Sequence, residues 1–302
     1  MNDAELREKI ERLKAEKDAV ILVHNYQIGP IHDLADFLGD SLGLARQAAD
    51  TKNSLIVFCG VRFMAETAKI LSPEKTVLLP RREANCPMAE MADVATLQEM
   101  KAKYPDAKVV TYVNSTAEVK AESDVCCTSA NAVEVVRNID SETVIFTPDR
   151  NLASYVQRFT DKKIILWDGF CYVHNRFDPE EVRRAKEARP DAVLMVHPEC
   201  RPEVIDLADE VLSTGGMVTV AAESPAKTFL VATEEGMLYR LKKENPDKTF
   251  LSAGSPKVCR GMKATRLEDV HRALHKDQYE ITLPETVMEQ SRKALERMLQ
   301  YV

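Results

Sequence analysis

The sequence lacks a long apolar run: no stretch of its 302 residues approaches the roughly 18 apolar residues that a membrane-spanning helix needs. The first 20 residues, MNDAELREKIERLKAEKDAV, place charges on a helical pattern and lack the apolar core of a signal peptide. We therefore predict a cytoplasmic protein that neither crosses nor binds a membrane.

The sequence also lacks an excess of basic residues. Lys and Arg number 41 and Asp and Glu number 48, which gives a formal net charge of −7. A surface that binds nucleic acid usually carries a basic excess, so we predict no nucleic-acid partner. The negative charge does not exclude a small anionic substrate, because one site can be positive inside an acidic protein.

The seven cysteines include no CxxC pair, which excludes a zinc ribbon and a thioredoxin-like redox motif. An odd number of cysteines without an export signal favours free thiols, metal ligands or catalytic residues over a disulfide framework. The cysteines are therefore candidates for chemistry, although a lone cysteine is most often a small buried hydrophobic residue.

Short runs of apolar and β-branched residues predict buried strands. They lie at residues 19–23, 55–59, 76–79, 108–113, 143–146, 163–166, 192–196, 228–232 and 248–251. Helical patterns with exposed charges lie between them, for example at 61–71, 92–104, 130–138, 178–189 and 234–244. Strands that alternate with helices are typical of βαβ units and a parallel sheet.

The alternation repeats three times along the chain. The first strand of each repeat is predicted to end at His24, Asn114 or His197, which are 90 and 83 residues apart. Each repeat then has a short segment with an Asp, followed by a hydroxyl residue at a predicted helix start, namely Ser41, Ser129 or Ser213. Beyond the fourth strand of each repeat comes a cysteine, and these are Cys86, Cys171 and Cys259.

The repeats predict an α/β protein of three small αβα modules, each with a four-stranded parallel sheet. We place the modules at residues 1–84, 85–170 and 171–259, and assign the C-terminal helices at 260–302 to the first module. Parallel α/β sheets bind ligands beyond the carboxyl ends of their strands. Modules arranged about a pseudo-threefold axis with these ends inward would share one central active site.

Cys86, Cys171 and Cys259 are candidate metal ligands because they occupy one equivalent position in three modules. Three converging thiolates can bind three corners of a [4Fe–4S] cubane and leave one iron open. An open metal site can act as a Lewis acid toward a substrate oxygen. Zinc with three sulfur ligands is the alternative metal. We interpret the other four cysteines as packing residues, and these are Cys59, Cys126, Cys127 and Cys200.

Polar residues near the strand ends are candidates for acid–base chemistry. His24 with Tyr26, and His197 with Glu199, follow equivalent strands and suit an acid–base set. The matching place in the second module holds Tyr112 and Asn114, and His174 lies three residues after Cys171. An imidazole there can hydrogen-bond a substrate or compensate a carboxylate.

The hydroxyl residues at the predicted helix starts have two interpretations. Ser41 and Ser129 can be ordinary N-caps. Ser213-Thr214-Gly215-Gly216 is more specific, because glycines let the backbone approach an anion to which amides and hydroxyls donate. Phosphate or carboxylate binding and simple capping both remain open for this turn.

Ten stretches of the chain, from residue 20 to about residue 270, together resemble the quinolinate synthase family. They are VHNYQ (23–27), ADFLGDSLGLA (35–45), CPMA (86–89), YVNSTAEVKAESDVCCTSANAV (112–133), FTPDRNLASYV (146–156), GFCYVH (169–174), VHPEC (196–200), LSTGGM (212–217), TEEGMLYRLKKENP (233–246) and CRGMKATRLEDV (259–270). The resemblance implies three related α/β domains around a [4Fe–4S] cluster. It also implies condensation of iminoaspartate with dihydroxyacetone phosphate to quinolinate in NAD biosynthesis, with release of phosphate and two waters, and functional coupling to an enzyme that produces iminoaspartate.

The resemblance implies roles for individual residues. The open iron would bind substrate, and Tyr26 and Glu199 would be the acid–base pair, with His24 and His197 beside them. The substrate pocket would be lined by His24, Tyr26, Ser41, Tyr112, Asn114, Ser129, His174, His197, Glu199, Ser213, Thr214 and Met262. The chain departs from the family pattern at Gly261, where Asn is usual, and at Phe170 and Tyr172, where smaller or more polar residues are expected.

Two other functions are compatible with parts of the sequence. A three-cysteine enzyme of the diphthamide-synthesis type would use its cluster for radical cleavage of S-adenosylmethionine, but it has no obvious need for His24, His197 and Glu199. A cluster-free protein could enclose an organic acid between three modules, with the cysteines as packing. Iron content and product formation distinguish these functions.

Overall fold

The computed structural model describes residues 2–301 and contains, within them, three separate four-stranded sheets. The first sheet has β1 (Ala19–His24), β2 (Phe37–Gly39), β3 (Leu55–Cys59) and β4 (Thr76–Leu78). The second has β5 (Lys108–Tyr112), β6 (Val125–Cys127), β7 (Thr143–Thr147) and β8 (Lys163–Leu166). The third has β9 (Val193–Val196), β10 (Glu210–Val211), β11 (Thr228–Ala232) and β12 (Thr249–Ser252).

The three sheets share one topology. Their strand orders are β2-β1-β3-β4, β6-β5-β7-β8 and β10-β9-β11-β12, and every strand pair within them is parallel. Central strands such as β1 and β3 are buried along their whole length, as is usual where helices cover both faces of a parallel sheet. The predicted α/β fold with a threefold repeat is confirmed.

Helices connect and cover the strands. Before and within the first sheet lie α1 (Asp3–Glu16), α2 (Gly29–His32), α3 (Ser41–Asp50) and α4 (Arg62–Leu71). In the middle of the chain lie α5 (Val94–Lys103), α6 (Ala117–Ala121), α7 (Ala132–Asn138) and α8 (Arg150–Gln157). Around the third sheet lie α9 (Pro179–Glu187), α10 (Pro202–Ile205), α11 (Thr214–Glu223) and α12 (Met237–Glu244). Two helices end the chain, α13 (Leu267–Lys276) and α14 (Glu285–Met298).

The Asp of each repeat fixes its edge loop to the central strand. Asp36 Oδ2 accepts a hydrogen bond of 2.8 Å from the backbone N–H of Ile21. Asp124 and Asp209 accept the same bond, also of 2.8 Å, from Val109 and Leu194. In every case the partners are 15 residues apart, so one local device sets the loop that leads into β2, β6 and β10.

The C-terminal helices contact more than one module. Helix α13 packs against α1 and β3 of the first module, whereas α14 packs against α4 of the first and against α6 and β6 of the second. The largest apolar core contains residues of all three sheets, for example Val20, Val110 and Val231. The modules therefore share buried surface. Within residues 2–301, none of the helices combines the length and apolarity that crossing a bilayer requires.

The structure differs from the sequence prediction at strand ends and at helix starts. Strand β5 ends at Tyr112 and β9 at Val196, so Asn114 and His197 follow their strands. The N-cap of α3 is Asp40 and not Ser41, because the Asp40 carboxylate accepts from the N–H of Gly43 at 2.9 Å. Ser129 lies three residues before α7 and does not cap it. The hydroxyls of Ser41 and Ser129 are therefore not used as helix caps.

Candidate active site

The carboxyl ends of the three sheets surround one central cavity. His24 ends β1, and Asn114 and His197 follow β5 and β9, the equivalent strands of the other modules. The cavity is lined by His24, Tyr26, Asp40, Ser41, Val61, Phe63, Met64, Cys86, Tyr112, Asn114, Thr128, Ser129, Cys171, Val173, His174, His197, Glu199, Thr214, Cys259 and Met262. Of the site residues named from the sequence, Ser213 alone does not line it.

The three candidate ligand cysteines have one local geometry. Each precedes a one-turn 3-10 helix, at Pro87–Glu90, His174–Arg176 or Met262–Ala264. In each case the backbone N–H three residues further on, that of Ala89, His174 or Met262, lies close enough to the thiol to lower its pKa, although burial outweighs this effect. Amides directed at cysteine sulfur stabilise the thiolate and tune a bound metal centre.

The chemistry of these thiols fits a bound cationic group. Burial raises the pKa of Cys86 to about 12, and burial followed by the negative charge of Glu199 raises the pKa of Cys171 well above its usual range. Burial also raises the pKa of Cys259. Without a metal the raised pKa keeps each thiol protonated. A bound metal centre would reverse this, because coordination to a metal deprotonates a thiol outright. The other four cysteines are fully buried and do not line the cavity.

The spacing of the thiols suits a group larger than one ion. Among residues 2–301, the compact set of candidate ligand atoms, all within 4.8 Å of one another, belongs to Cys171, His174 and Glu199. The three thiol sulfurs do not form such a set. A tetrahedral zinc ion bound at about 2.3 Å would bring its sulfur ligands within about 4 Å of one another. A cubane cluster spreads them further apart.

His24 and His197 are equivalent in their hydrogen bonding. Nδ1 of His24 accepts from the N–H of Tyr26 at 3.2 Å, and Nδ1 of His197 accepts from the N–H of Glu199 at 3.3 Å. Burial lowers the pKa of both rings to about 3, helped by the neighbouring His32 for His24 and by His174 for His197. Both imidazoles are therefore neutral. The backbone N–H donors at Nδ1 assign the ring proton to Nε2, which is left as a donor, and Nδ1 of His197 also lies 3.3 Å from Oε2 of Glu199.

A buried chain of contacts joins Tyr26 to Glu199. Tyr26 Oη lies 2.6 Å from Thr233 Oγ1, which lies 2.8 Å from Nε2 of His174. Nδ1 of His174 lies 2.6 Å from Oε2 of Glu199. Sequence reasoning missed Thr233, although it directly follows β11 at the carboxyl edge of the third sheet. Its position directly after a predicted strand could have identified Thr233 as a candidate site residue.

The chain has the charge states that an acid and a base need. Burial, and then the charge of Glu199, raises the pKa of Tyr26 well above its usual range, so the phenol is protonated at neutral pH. Burial alone would raise the pKa of Glu199, but the nearby His174 and His197 rings outweigh it and lower the pKa. Glu199 is therefore a carboxylate and Tyr26 a protonated acid.

Two buried oxygens at the cavity have no protein partner. Oδ1 of Asn114 and Oε1 of Glu199 are buried and make no hydrogen bond within residues 2–301. Buried polar atoms in proteins are almost always paired, because an unpaired one costs about 1–3 kcal/mol. Both atoms are acceptors, so a ligand with N–H or O–H groups would satisfy them.

The Ser213-Thr214 turn divides between two environments. Thr214 Oγ1 lines the central cavity and accepts from Asn25 Nδ2 at 2.9 Å. Ser213 caps α11 by accepting from the N–H of Gly216 at 3.2 Å, and it lines an adjoining cleft. The carboxylate of Asp40 lies beside this turn, and a Cβ atom on Gly215 would lie 2.6 Å from it. Thr214 is thus the hydroxyl of the turn that faces the cavity.

The three departures from the family pattern have structural counterparts. A Cβ atom at Gly261 would overlap the carbonyl oxygen of Asn85, so this backbone requires glycine. The Tyr172 hydroxyl accepts from the N–H of Arg260 at 2.7 Å and so connects the loops of Cys171 and Cys259. The guanidinium of Arg150 lies 4.6 Å from the centre of the Phe170 ring.

Comparison with known proteins identifies relatives over nearly the whole length. A family model described as Quinolinate synthetase A protein matches residues 8–300. The chain is 52% identical to a quinolinate synthase of Geobacter sp. (strain M21) over 99% of this chain and 98% of that protein. It is 56% identical to one of Dehalococcoides mccartyi over 96% of each chain, and 53% identical to one of Methanoregula boonei over 97% of each. The chain therefore belongs to the quinolinate synthase family of enzymes.

Proposed function

We propose that this enzyme condenses iminoaspartate with dihydroxyacetone phosphate to form quinolinate for NAD biosynthesis, with release of phosphate and two waters. The observation that carries the proposal is the buried chain from Tyr26 through Thr233 and His174 to Glu199, in the same cavity as three converging thiols. Condensation and dehydration need an acid, a base and an electrophile, and this cavity provides groups for each role.

We propose a [4Fe–4S] cluster held by Cys86, Cys171 and Cys259. The equivalent local geometry of the three thiols and their spacing support a cubane over a single zinc ion. When bound through three cysteines, such a cluster supplies a Lewis-acidic iron with an open coordination position. The protein holds the ligands and shapes the cavity beside them.

Glu199 is proposed as the base. Its Oε1 is buried and unpaired, and its lowered pKa keeps the carboxylate charged at neutral pH. It accepts the proton that leaves a carbon atom of the substrate during carbon–carbon bond formation or dehydration. The short contact with His174 stabilises the charged carboxylate before this transfer.

Tyr26 is proposed as the acid. Its raised pKa keeps the phenol protonated, and it donates that proton to a departing hydroxyl, which leaves as water. Thr233 and His174 stabilise the resulting phenolate through the hydrogen-bonded chain. Return of a proton from Glu199 to Tyr26 restores both groups for the second dehydration.

Neutral donors are proposed to bind the anionic substrates. Nε2–H of His24 and of His197, with the hydroxyls of Ser41, Ser129 and Thr214, line the cavity and can donate to carboxylate or phosphate oxygens. Thr214 also lies in the first turn of the ten-residue helix α11, where the helix dipole favours an anion. Asn114, Tyr112 and Met262 complete the proposed pocket.

The chemistry of the substrates and of the thiols indicates how iminoaspartate is supplied and in which compartment the enzyme works. Imines hydrolyse readily in water, so we expect an enzyme that produces iminoaspartate to supply it nearby. All seven cysteines are free thiols, which suits the reducing cytoplasm. We therefore propose that the partners are small-molecule substrates and include neither a nucleic acid nor a membrane.

Anaerobic purification followed by metal analysis and one assay tests the proposal. We expect about four iron and four sulfide per chain, and quinolinate from iminoaspartate and dihydroxyacetone phosphate. Iron without quinolinate would reject the proposed reaction and favour a different three-cysteine enzyme. A colourless, iron-free protein that binds an organic acid would reject the cluster.

A further inference from the structure

Two buried carboxylates hold the backbone at two of the three candidate ligand cysteines. Asp149 Oδ2 accepts from the N–H of Cys171 at 3.0 Å. Glu234 Oε1 accepts from the N–H of Cys259 at 2.9 Å. Both carboxylates are fully buried, and each lies two residues beyond the third strand of its module, β7 or β11. The second and third modules therefore share this bond to the cysteine, while Glu234 Oε2 in addition pairs with Lys263 Nζ at 2.9 Å.

Both oxygens of each carboxylate are engaged. Asp149 Oδ1 accepts from the N–H of Leu152 at 2.7 Å, and Glu234 Oε2 accepts from the N–H of Gly236 at 2.7 Å. Each side chain thus joins the start of its own loop to a cysteine more than 20 residues further along the chain. A neutral amide has one acceptor oxygen and cannot make both bonds, so the arrangement requires a carboxylate.

The first module lacks this arrangement. The residue two positions beyond β3 is Val61, which has no acceptor. Within residues 2–301, the N–H of Cys86 donates no hydrogen bond. Cys86 also borders a second, outer cleft, lined on its surface side by Glu90, Thr116 and Glu118. Cys86 therefore lacks the amide hydrogen bond that the other two cysteines have, and it borders clefts on two sides.

We propose that Asp149 and Glu234 are positioning residues that fix Cys171 and Cys259 before the cluster binds, and that Cys86 is the adjustable ligand. The inference rests on the cluster ligands of the proposed function. Cys171 and Cys259 would therefore be held in place for a bound cluster, whereas Cys86 would adjust its position to reach it.

Thiol labelling of the reduced, metal-free enzyme tests the positioning without a cluster. Rates of alkylation by iodoacetamide are measured for each cysteine by peptide mass spectrometry. In the native sequence we expect Cys86 to react fastest. Asp149→Ala should accelerate Cys171 by about fivefold, the loss expected for one hydrogen bond, and leave Cys259 unchanged. Glu234→Ala should accelerate the alkylation of Cys259 and leave that of Cys171 unchanged.

Asp178→Ala is the matched control, because Asp178 also caps a helix but contacts no cysteine. Equal acceleration of all three cysteines, or the same result with Asp178→Ala, would show general loosening and overturn the proposal. No acceleration in either variant would also overturn it. If a variant does not fold, amide hydrogen exchange of the native metal-free chain decides, since the Cys171 and Cys259 amides should be protected and the Cys86 amide should not.

Iron release separates this inference from the proposed function. Anaerobic transfer of iron to a chelator should be faster from Asp149→Ala and Glu234→Ala than from the native enzyme and Asp178→Ala. If the native enzyme never takes up iron, the proposed cluster is wrong, whereas the labelling pattern still decides whether the two carboxylates position their cysteines. Equal release from all four proteins would show that the positioning does not act on the cluster.

Discussion

Nδ1 of His174 lies 2.6 Å from Oε2 of Glu199, with both side chains buried. Two unprotonated acceptors would repel at this distance, so a proton lies between the two atoms. The backbone N–H of the same histidine lies close enough to the thiol of Cys171 to lower its pKa, against the larger effect of burial. His174 therefore lies next to both the proposed base and a proposed cluster ligand. A change in the charge of either group alters the electrostatic environment of the other.

Replacing Glu199 with Gln should reduce turnover and leave the cluster in place. The amide keeps the size of the side chain but cannot accept a proton from substrate, and general-base catalysis typically contributes about 10²–10⁴-fold. Iron content and kcat are measured together under anaerobic conditions. Glu203→Gln, on the exposed side of α10, is the control and should match the native enzyme. A Glu199→Gln enzyme with unchanged kcat would contradict the assignment of the base.

Replacing Thr233 with Val should lower kcat more than it raises KM. Valine has the shape of threonine but breaks the chain between Tyr26 and His174, which at about 1–3 kcal/mol corresponds to a loss on the order of tenfold or more. The control is Thr219→Val, an exposed hydroxyl on the same module. An equal effect of both substitutions, or a change in KM alone, would show that the Thr233 hydroxyl is not part of the acid–base chain.

Replacing Cys171 with Ser should abolish retention of iron, whereas Cys59→Ser should not. Cys171 lines the central cavity, and Cys59 is fully buried in the core beneath the first sheet and lines no part of that cavity. Iron and sulfide are counted after anaerobic reconstitution, and thermal unfolding shows that both variants are folded. Similar iron content in the two variants would mean that the division of the cysteines into ligands and packing residues is wrong.

The metal-free enzyme should lose stability as the pH falls from 7.5 to 5.5. Burial lowers the pKa of His24 and His197 from 6.5 to about 3 and that of His32 to about 4, so the folded rings stay neutral while the unfolded rings take up protons near 6.5. The unfolded state binds more protons in this window, and the free energy of unfolding therefore decreases by about 1.4 kcal/mol for each histidine.

Urea unfolding at the two pH values measures this decrease. His32→Gln should reduce it by about 1.4 kcal/mol, because a titrating group is removed from the unfolded state without touching the central cavity. Thr219→Val, at an exposed position of α11, removes no titrating group and should leave the decrease unchanged. A His32→Gln variant whose pH dependence equals that of the native enzyme would contradict the neutral, buried state of this ring.

The fold and most of the cavity could be predicted from sequence because they repeat. A strand period of about 85 residues places His24, Asn114 and His197 at equivalent strand ends, and the geometry of parallel sheets then brings them together. Thr233, Asp149 and Glu234 also lie just beyond strand ends, but that position alone does not assign their roles. Their roles depend on which atoms lie opposite them in another loop, and residue type and spacing do not specify that.

Adjacent residues of one turn also escaped prediction. Ser213 and Thr214 are neighbours with similar side chains, yet one caps α11 and the other faces the cavity. The direction of each hydroxyl follows from the start of the helix and from Asn25 of the first module, which donates to Thr214. This contact forms only when the first and third modules pack together, so the sequence of the turn alone does not predict it.

Asp36, Asp124 and Asp209 form the same hydrogen bond in each of the three modules, so one substitution can be compared at three equivalent sites. Each makes the same 2.8 Å bond to a backbone amide 15 residues earlier, and each pairs with a lysine, Lys14, Lys108 or Lys186. The same substitution at the three sites removes the same backbone hydrogen bond, so a difference among the losses of stability measures the surroundings of each aspartate. Comparing the three losses would show how far the modules differ in stability.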